Sequence, residues 1–348
     1  MALPPEVVPL VRGFANHSFR YLFRQANNVA DLVRWCTPKI AQRIDFTQLE
    51  VQPDSFIAPG FTELESDVLL RAPWRSGRGP GGAIQVFILI EHQSEPEEHA
   101  VFRASRYVMQ VYDKQEKLWL RAHSNTRGLR FEPVLPIVFY SGTRTWDQLR
   151  TMQQLVHHGE LFGSLIPSLE PLFVNLASTE PEVLRSQVGT FGWVLWLIQQ
   201  KRRKEAAFRD VLGQVVAQVD RLHARQPGRW EHLLWFAHAL VYHARETPER
   251  EQLAGFIRAT VRQAEQTEVQ NMGKTIAESL IEEGKSAGIL EGKRRTLVRL
   301  LQQKFKRVPE AILTEIQSAR DEQIDAWLDA ILTADKITDV FVPSIKKK

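Results

Sequence analysis

"QVFILIEHQSEPEEH", residues 85–99, is the stretch on which the reading of this chain turns. Six largely apolar residues end on an acid, Glu91, and Gln93 follows two positions later. Strand side chains alternate between faces, so Glu91 and Gln93 share one face with Phe87 and Leu89, while Val86, Ile88 and Ile90 take the other. Both faces are apolar before the acid, which predicts a central strand covered on each side.

Working outward, "SDVLLRA" from Ser66 reads as a second strand and "RSGRGPGGA", residues 75–83, as the loop joining the two in an antiparallel hairpin. Pairing centred on residue 79 brings Asp67 close to Glu91. Like charges opposed across a strand pair are destabilising, and a divalent cation between them reverses the sign. Mg²⁺ suits two hard oxygen donors that leave room for water and a phosphate. The alternative is a pair of strand-end acids facing solvent beside Arg71, Arg103 or Arg106, and the residues alone leave the two readings level.

Ser94 and Glu97 have capping-box spacing with Pro96 between them, which predicts a helix from about there to Trp119. "VLPIVFYSG" then reads as a strand starting near Pro136. Strand, helix, strand is the order of a crossover unit packed on a sheet.

These segments carry a resemblance. "SDVLL", "FILIEHQS", "FRASRYVMQVYD" and "LPIVFYSG" resemble, in that order, the recombination-promoting nuclease and transposase-like family of the PD-(D/E)XK superfamily. "SFRYLFRQANNVADLVRW" and "IDFTQLEVQPDSF" are similar to its N-terminal part, and "RRTLVRLLQQKFKRVPEAI" to a small helical domain often appended to it. The resemblance implies an α/β fold, a mixed sheet flanked by helices, followed by an all-α region. It implies Mg²⁺- or Mn²⁺-dependent cleavage of DNA, with Asp67 and Glu91 as metal ligands and Gln93 at the motif's lysine position. Glutamine can orient an attacking water but cannot deprotonate it. The chain departs from the family at Ala15 and Asn16, where a His-Asp pair is usual, and at Ser141, where "YHG" is usual. Asn16 can still coordinate through its carbonyl oxygen, and Arg103 and Tyr140 are further candidates beside the site. The departures favour a second reading, a catalytically degenerate module that binds DNA or protein partners.

The rest of the chain supplies context. The 348 residues, 43% hydrophobic and 25% charged with a net charge of +4, describe an ordinary globular protein that allows an anionic partner without demanding one. One cysteine, Cys36, excludes an internal disulfide framework and reads as a buried thiol in a reducing compartment. The start of the chain has no secretory pattern and the longest apolar run, near "FGWVLWLI", is too short to span a bilayer, so a cytoplasmic location is expected.

Residues 17–35 predict helices, and the segment after them a connector with one short strand. Strand signals fade beyond Trp146. The expected division is residues 1–150 for the nuclease domain, 151–269 for a helical region, 270–293 for a glycine-punctuated helical linker and 294–348 for a small helical domain. Self-association through the C-terminal helices is a third reading.

Other motifs carry less. His232, His238 and His243 lie on one predicted helix but are too few for zinc and read as core or surface residues. Arg75 and Arg78 in the hairpin loop are weak candidates for phosphate contacts, as is "QQKRRKE" at 199–205, which reads better as a solvated helix face. The tryptophans at 193, 196, 230 and 235 read as core. "GKSAG" at 284–288 lacks the glycine and strand of a nucleotide loop.

Overall fold

The computed structural model describes residues 2–52, 68–79 and 82–341; within these, the side chains of Asn16, of residues 76–79 and of residues 82–84 lie outside the description. Five strands form one mixed sheet in the order β1 (Glu50–Val51), β2 (Val68–Gly79), β3 (Gly82–Gln93), β4 (Val134–Tyr140) and β5 (Leu172–Asn175). β3 is central, antiparallel to β2 and parallel to β4, as its two apolar faces predict. From Val68↔Ile90 to Pro73↔Gln85 the hairpin pairs are centred on residue 79. The register then shifts before Arg78↔Ala83, so the turn itself is irregular.

Four short or medium helices precede the sheet: α1 (Val7–Arg12), α2 (Phe14–Phe23), α3 (Ala26–Cys36) and α4 (Pro38–Ala41). The crossover between β3 and β4 is α5 (Ala100–Ala122). It starts six residues after Ser94, later than the capping-box reading. Glu97 Oε1 accepts from the backbone N–H of His99 at 3.0 Å, so its carboxylate serves the turn before the helix rather than a cap at Ser94. α5 covers one face of the sheet, with Tyr107, Val108 and Val111 against Leu69, Phe87 and Leu89, and Ala100 and Ala104 against Val138 and Tyr140. On the opposite face Phe19 and Phe23 of α2 pack on Phe139, at ring separations of 5.2 Å each.

β5 corrects the expectation that strands end before Trp146. "LFVN" is too short to show a period, and it becomes a strand because β4 offers it an open edge, with Ile137↔Leu172 through Tyr140↔Asn175 in parallel register. The boundary expected near residue 150 therefore falls between two strands of one sheet.

Two short helices, α6 (Met152–Leu155) and α7 (Gly159–Phe162), lie between β4 and β5, and α8 (Pro181–Gln187), α9 (Gly189–Gln199), α10 (Glu205–Asp220), α11 (Pro227–Ala244) and α12 (Thr247–Thr260) follow β5. Of these, α9 and α11 return to the helices at the start of the chain. Arg229 of α11 pairs with Asp31 of α3 at 2.6 Å, and its Nε and terminal nitrogen donate to Asn28 Oδ1 at 3.2 and 3.0 Å. Asp31 Oδ2 also accepts from the N–H of Phe191 at 3.3 Å, serving the first turn of α9. Gly189 opens that turn with φ +62°, and a Cβ there would lie 2.9 Å from the Asp31 carboxylate, so glycine is required twice over.

α13 (Gln266–Phe305) runs unbroken through Gly273, Gly284, Gly288 and Gly292. Each glycine costs a helix about 1 kcal/mol, and packing of the two ends compensates. Val269, Met272 and Ile276 are buried near the first end, Leu297 and Leu301 near the last. Contacts divide the chain into two units, residues 1–276 and 277–348. The second holds its own core, in which Leu297, Leu301, Ile316, Ile324 and Trp327 come together from α13, α14 (Glu310–Ser318) and α15 (Asp321–Ala330), with Val340 from α16 (Ile337–Val340).

Candidate functional site at the end of the central strand

Glu91 is the most deeply placed acid of the sheet, its side chain 1% exposed at the C-terminal end of β3. A buried carboxylate is costly unless paired and hydrogen-bonded. Arg103 of α5 donates from Nε to Glu91 Oε1, and Gln93 Nε2 donates to the same oxygen at 3.1 Å. The two-residue spacing places Gln93 on the face of Glu91, and the first turn of α5 brings Arg103 over it. Of the three arginines that could have answered the acid, Arg71 instead pairs with Glu50 at 3.1 Å and Arg106 lies over the Phe102 ring.

The next residue, His92, points to the opposite face. Its ring stacks on Phe19 at 4.1 Å, and Nε2 lies 2.7 Å from Ser141 Oγ. Burial, with the Lys201 charge adding to it, pushes the imidazole down to about 3, which keeps it neutral. Lys201 is itself lowered, first by burial and then by Arg202. The basic run at 199–205 thus includes one lysine facing inward, while Gln199 donates to the carbonyls of Leu176 and Thr179 at 2.9 and 2.8 Å.

Ser141 and Gly142 follow β4 directly. The N–H of Ser141 donates to the Gln93 carbonyl at 2.9 Å, continuing the parallel ladder past the strand end. A Cβ on Gly142 would lie 2.2 Å from the Ser94 carbonyl oxygen and 2.3 Å from the Tyr140 hydroxyl, so the glycine lets two chain segments close over the site. Tyr140 is in register with Gln93, but its hydroxyl donates to the Arg144 carbonyl at 2.8 Å and its ring meets Trp146 edge-on. It supports the wall of the site and does not reach Glu91 through any of these contacts.

Asp67 lies outside the described residues; its neighbour Val68 is paired with Ile90, the residue before Glu91. Asn16 belongs to α2, one turn before Phe19, and its side chain is outside the description. Arg75 is exposed, and Arg78 pairs with Ala83, whose Cα is about 26 Å from that of Glu91 along β3 at about 3.3 Å per residue. The hairpin tip and Glu91 therefore sit at opposite ends of the strand. The contact that sequence reasoning missed is His92 with Ser141. Its signal was a hydrogen-bonding residue following the acid and another directly after the next strand, but only parallel pairing of β3 with β4 makes them neighbours.

As a metal centre, Glu91 supplies the right hard oxygen donor, already charge-compensated by Arg103. Among the described residues no three His, Cys, Asp or Glu side chains gather into a metal cluster. The three histidines of α11 are spread apart: His232 stacks on Tyr21, His238 is buried next to Gly273, and His243 Nε2 lies 2.7 Å from the Val11 carbonyl. Trp230 and Trp235 are buried in the core. Burial also pushes the Cys36 thiol up to about 12.

The family model described as "Putative transposase, YhgA-like" matches residues 16–228, which spans the whole sheet and the helices from the third residue of α2 through α10. The chain belongs to that family. It is 28% identical over 128 residues to the recombination-promoting nuclease RpnD of Escherichia coli O157:H7, covering 36% of this chain and 45% of that protein. It is 29% identical over 94 residues to YjiP of Escherichia coli strain K12, named a putative inactive recombination-promoting nuclease-like protein, covering 27% of this chain and 86% of that one. The chain thus matches less than half the length of RpnD. The names of these relatives support a nuclease-like role at the level of the family, and PD-(D/E)XK membership is consistent with that family. No solved structure matches the chain. Among the described residues no helix is long and apolar enough to cross a membrane.

Proposed function

We propose that this chain is a metal-dependent DNA endonuclease that hydrolyses phosphodiester bonds at the C-terminal end of β3. The observation that carries the reading is the buried Glu91, a carboxylate held in place by Gln93 and Arg103 where a central strand opens toward loops. Asp67, covalently adjacent to Val68, is the second carboxylate of the proposal. Together they would hold Mg²⁺ or Mn²⁺, with Asn16 as an accessory oxygen donor. Such an ion supplies Lewis acidity toward a phosphate oxygen and lowers the pKa of bound water. Gln93, which cannot ionise, orients the attacking water through its amide. Arg75 and Arg78, at the far end of the hairpin, would touch only DNA extending well beyond the cut.

Plasmid nicking with Mg²⁺ tests the reading. Asp67→Asn and Glu91→Gln are expected to lower cutting by about 100-fold or more, the scale on which loss of one charge-stabilising group acts. Equal nicking by the wild type and both variants would sink it.

A second reading, DNA binding without cutting, is favoured by one observation: Ser141 occupies the position of the family's usual histidine and is engaged by His92. A salt-sensitive DNA shift that survives Glu91→Gln, with no nicking by the wild type, identifies that case.

A further inference from the structure

Glu91 is already neutralised by the protein itself. Arg103 Nε and Gln93 Nε2 both donate to Oε1, and the acid is 1% exposed. A divalent cation approaching that carboxylate would meet a guanidinium on it, and two cations competing for one buried acid repel each other strongly where water is scarce. The ion pair therefore opposes the metal that the proposed nuclease needs.

Arg103 also has a way out. Its side chain is 21% exposed, so the pair is sealed on the acid's side and reaches solvent on the arginine's. The contact to Glu91 runs through Nε, while the guanidinium carries further N–H donors on its two terminal nitrogens. That fork matches a phosphate in shape and charge, and a phosphodiester is a ligand for which arginine is well suited. The backbone of Arg103 is held within the first turn of α5 by its N–H bond to the His99 carbonyl at 2.9 Å, so only the side chain needs to swing.

We propose that Arg103 is a plug on the metal site that the DNA backbone releases: an incoming phosphate takes the guanidinium, and Glu91 is freed for the cation. The inference rests on the metal-site reading above and adds to it a gate by substrate. Metal and DNA then bind with positive coupling, and the coupling is reciprocal. Without DNA the site stays metal-poor and the carboxylate stays compensated.

The test is Mn²⁺ binding, read from the electron paramagnetic resonance of free Mn²⁺, with and without a short DNA duplex. Glu91→Gln is the control that subtracts ions held by the DNA or elsewhere on the protein. In the wild type, DNA is expected to tighten the Glu91-dependent binding by about ten-fold, a change typical of groups that adjust a metal ligand. Arg103→Gln should bind Mn²⁺ without DNA as tightly as the wild type does with it, and DNA should add nothing. Mn²⁺ should also raise the melting temperature of Arg103→Gln more than that of the wild type, because the cation replaces the lost counter-charge. If Arg103→Gln does not fold, Arg103→Lys keeps the charge without the fork, and its DNA coupling should be smaller. Equal Mn²⁺ affinity in wild type and Arg103→Gln, or DNA coupling in Arg103→Lys as large as in the wild type, with the binding abolished by Glu91→Gln, overturns the plug and leaves the metal site standing. Indifference of Mn²⁺ binding to Glu91→Gln, with and without DNA, overturns the metal site and the plug with it.

Discussion

Two of the molecule's arginine–carboxylate pairs have similar chemistry in different settings. Arg229 with Asp31 joins α11 to α3, with side chains 7% and 14% exposed, and the same groups also engage Asn28 and the N–H of Phe191. Arg103 with Glu91 joins α5 to β3, with the acid buried and the arginine partly open to solvent. The first pair is wrapped from both sides and ties three helices together. The second is wrapped only behind the acid, which leaves its cation able to leave. A buried ion pair is weak support for stability by itself, and the surrounding hydrogen bonds decide whether it acts as a lock or as an exchangeable contact.

That contrast can be broken most directly by truncating the enclosed pair. Asp31→Ala strands Arg229 in the interior and removes an acceptor from the first turn of α9, and is expected to cost about 3–5 kcal/mol of unfolding free energy in a denaturant titration. Mn²⁺ should recover none of it, unlike the loss in Arg103→Gln. Recovery by metal would mean that the two pairs do not differ as described.

Acid sharpens the comparison next, because each region is backed by a buried imidazole. His92 lies behind the end of β3 and His232 against α2, both held down to about 3, while His238 of α11 is held down to about 4, burial being the main cause in each. These groups are neutral when folded and take up protons on unfolding below about 6.5, their ordinary value. Their contribution to stability is therefore full above about pH 6.5 and is lost as the pH falls toward 3–4. Melting temperatures that fall less between pH 6.5 and 4.5 in a His92→Gln, His232→Gln variant than in the wild type, with the remaining fall left to His238, would assign that part of the loss to the two rings.

The smallest expected effect is at Ser141. Ser141→Ala removes the partner of His92 Nε2 and is expected to cost about 1 kcal/mol, the scale of one hydrogen bond. A much larger loss would mark this contact as part of the support of Glu91 from behind.

Much of the sheet was legible in the chain. β3 announced itself by apolar residues on both faces, and the hairpin by a glycine-rich loop whose centre also sets the register of Val68↔Ile90. β5 was not legible, because four residues carry no period and their state depends on the free edge of β4. The late start of α5 was missed for a related reason: Ser94 and Glu97 have the spacing of a cap, but spacing does not say which amide a side chain will meet. At the site, Glu91 and Gln93 could be placed on one face from alternation. Which of three arginines would answer the acid could not, since Arg71, Arg103 and Arg106 differ only in where α5 and β1 bring other partners.

The sequence by itself determined what is local or periodic: the faces of β3, the identity of its terminal acid, the glutamine that shares its face, and the family motifs around them. Only the tertiary structure decided the counter-charge of Glu91, the contact between His92 and Ser141, the close approach at Gly142, and the return of the later helices to α3 through Asp31 and Arg229. The physical reason is reach. Alternation and helix period act within a few residues along the chain, whereas a buried charge finds its partner only after strands and helices from distant segments have packed around it.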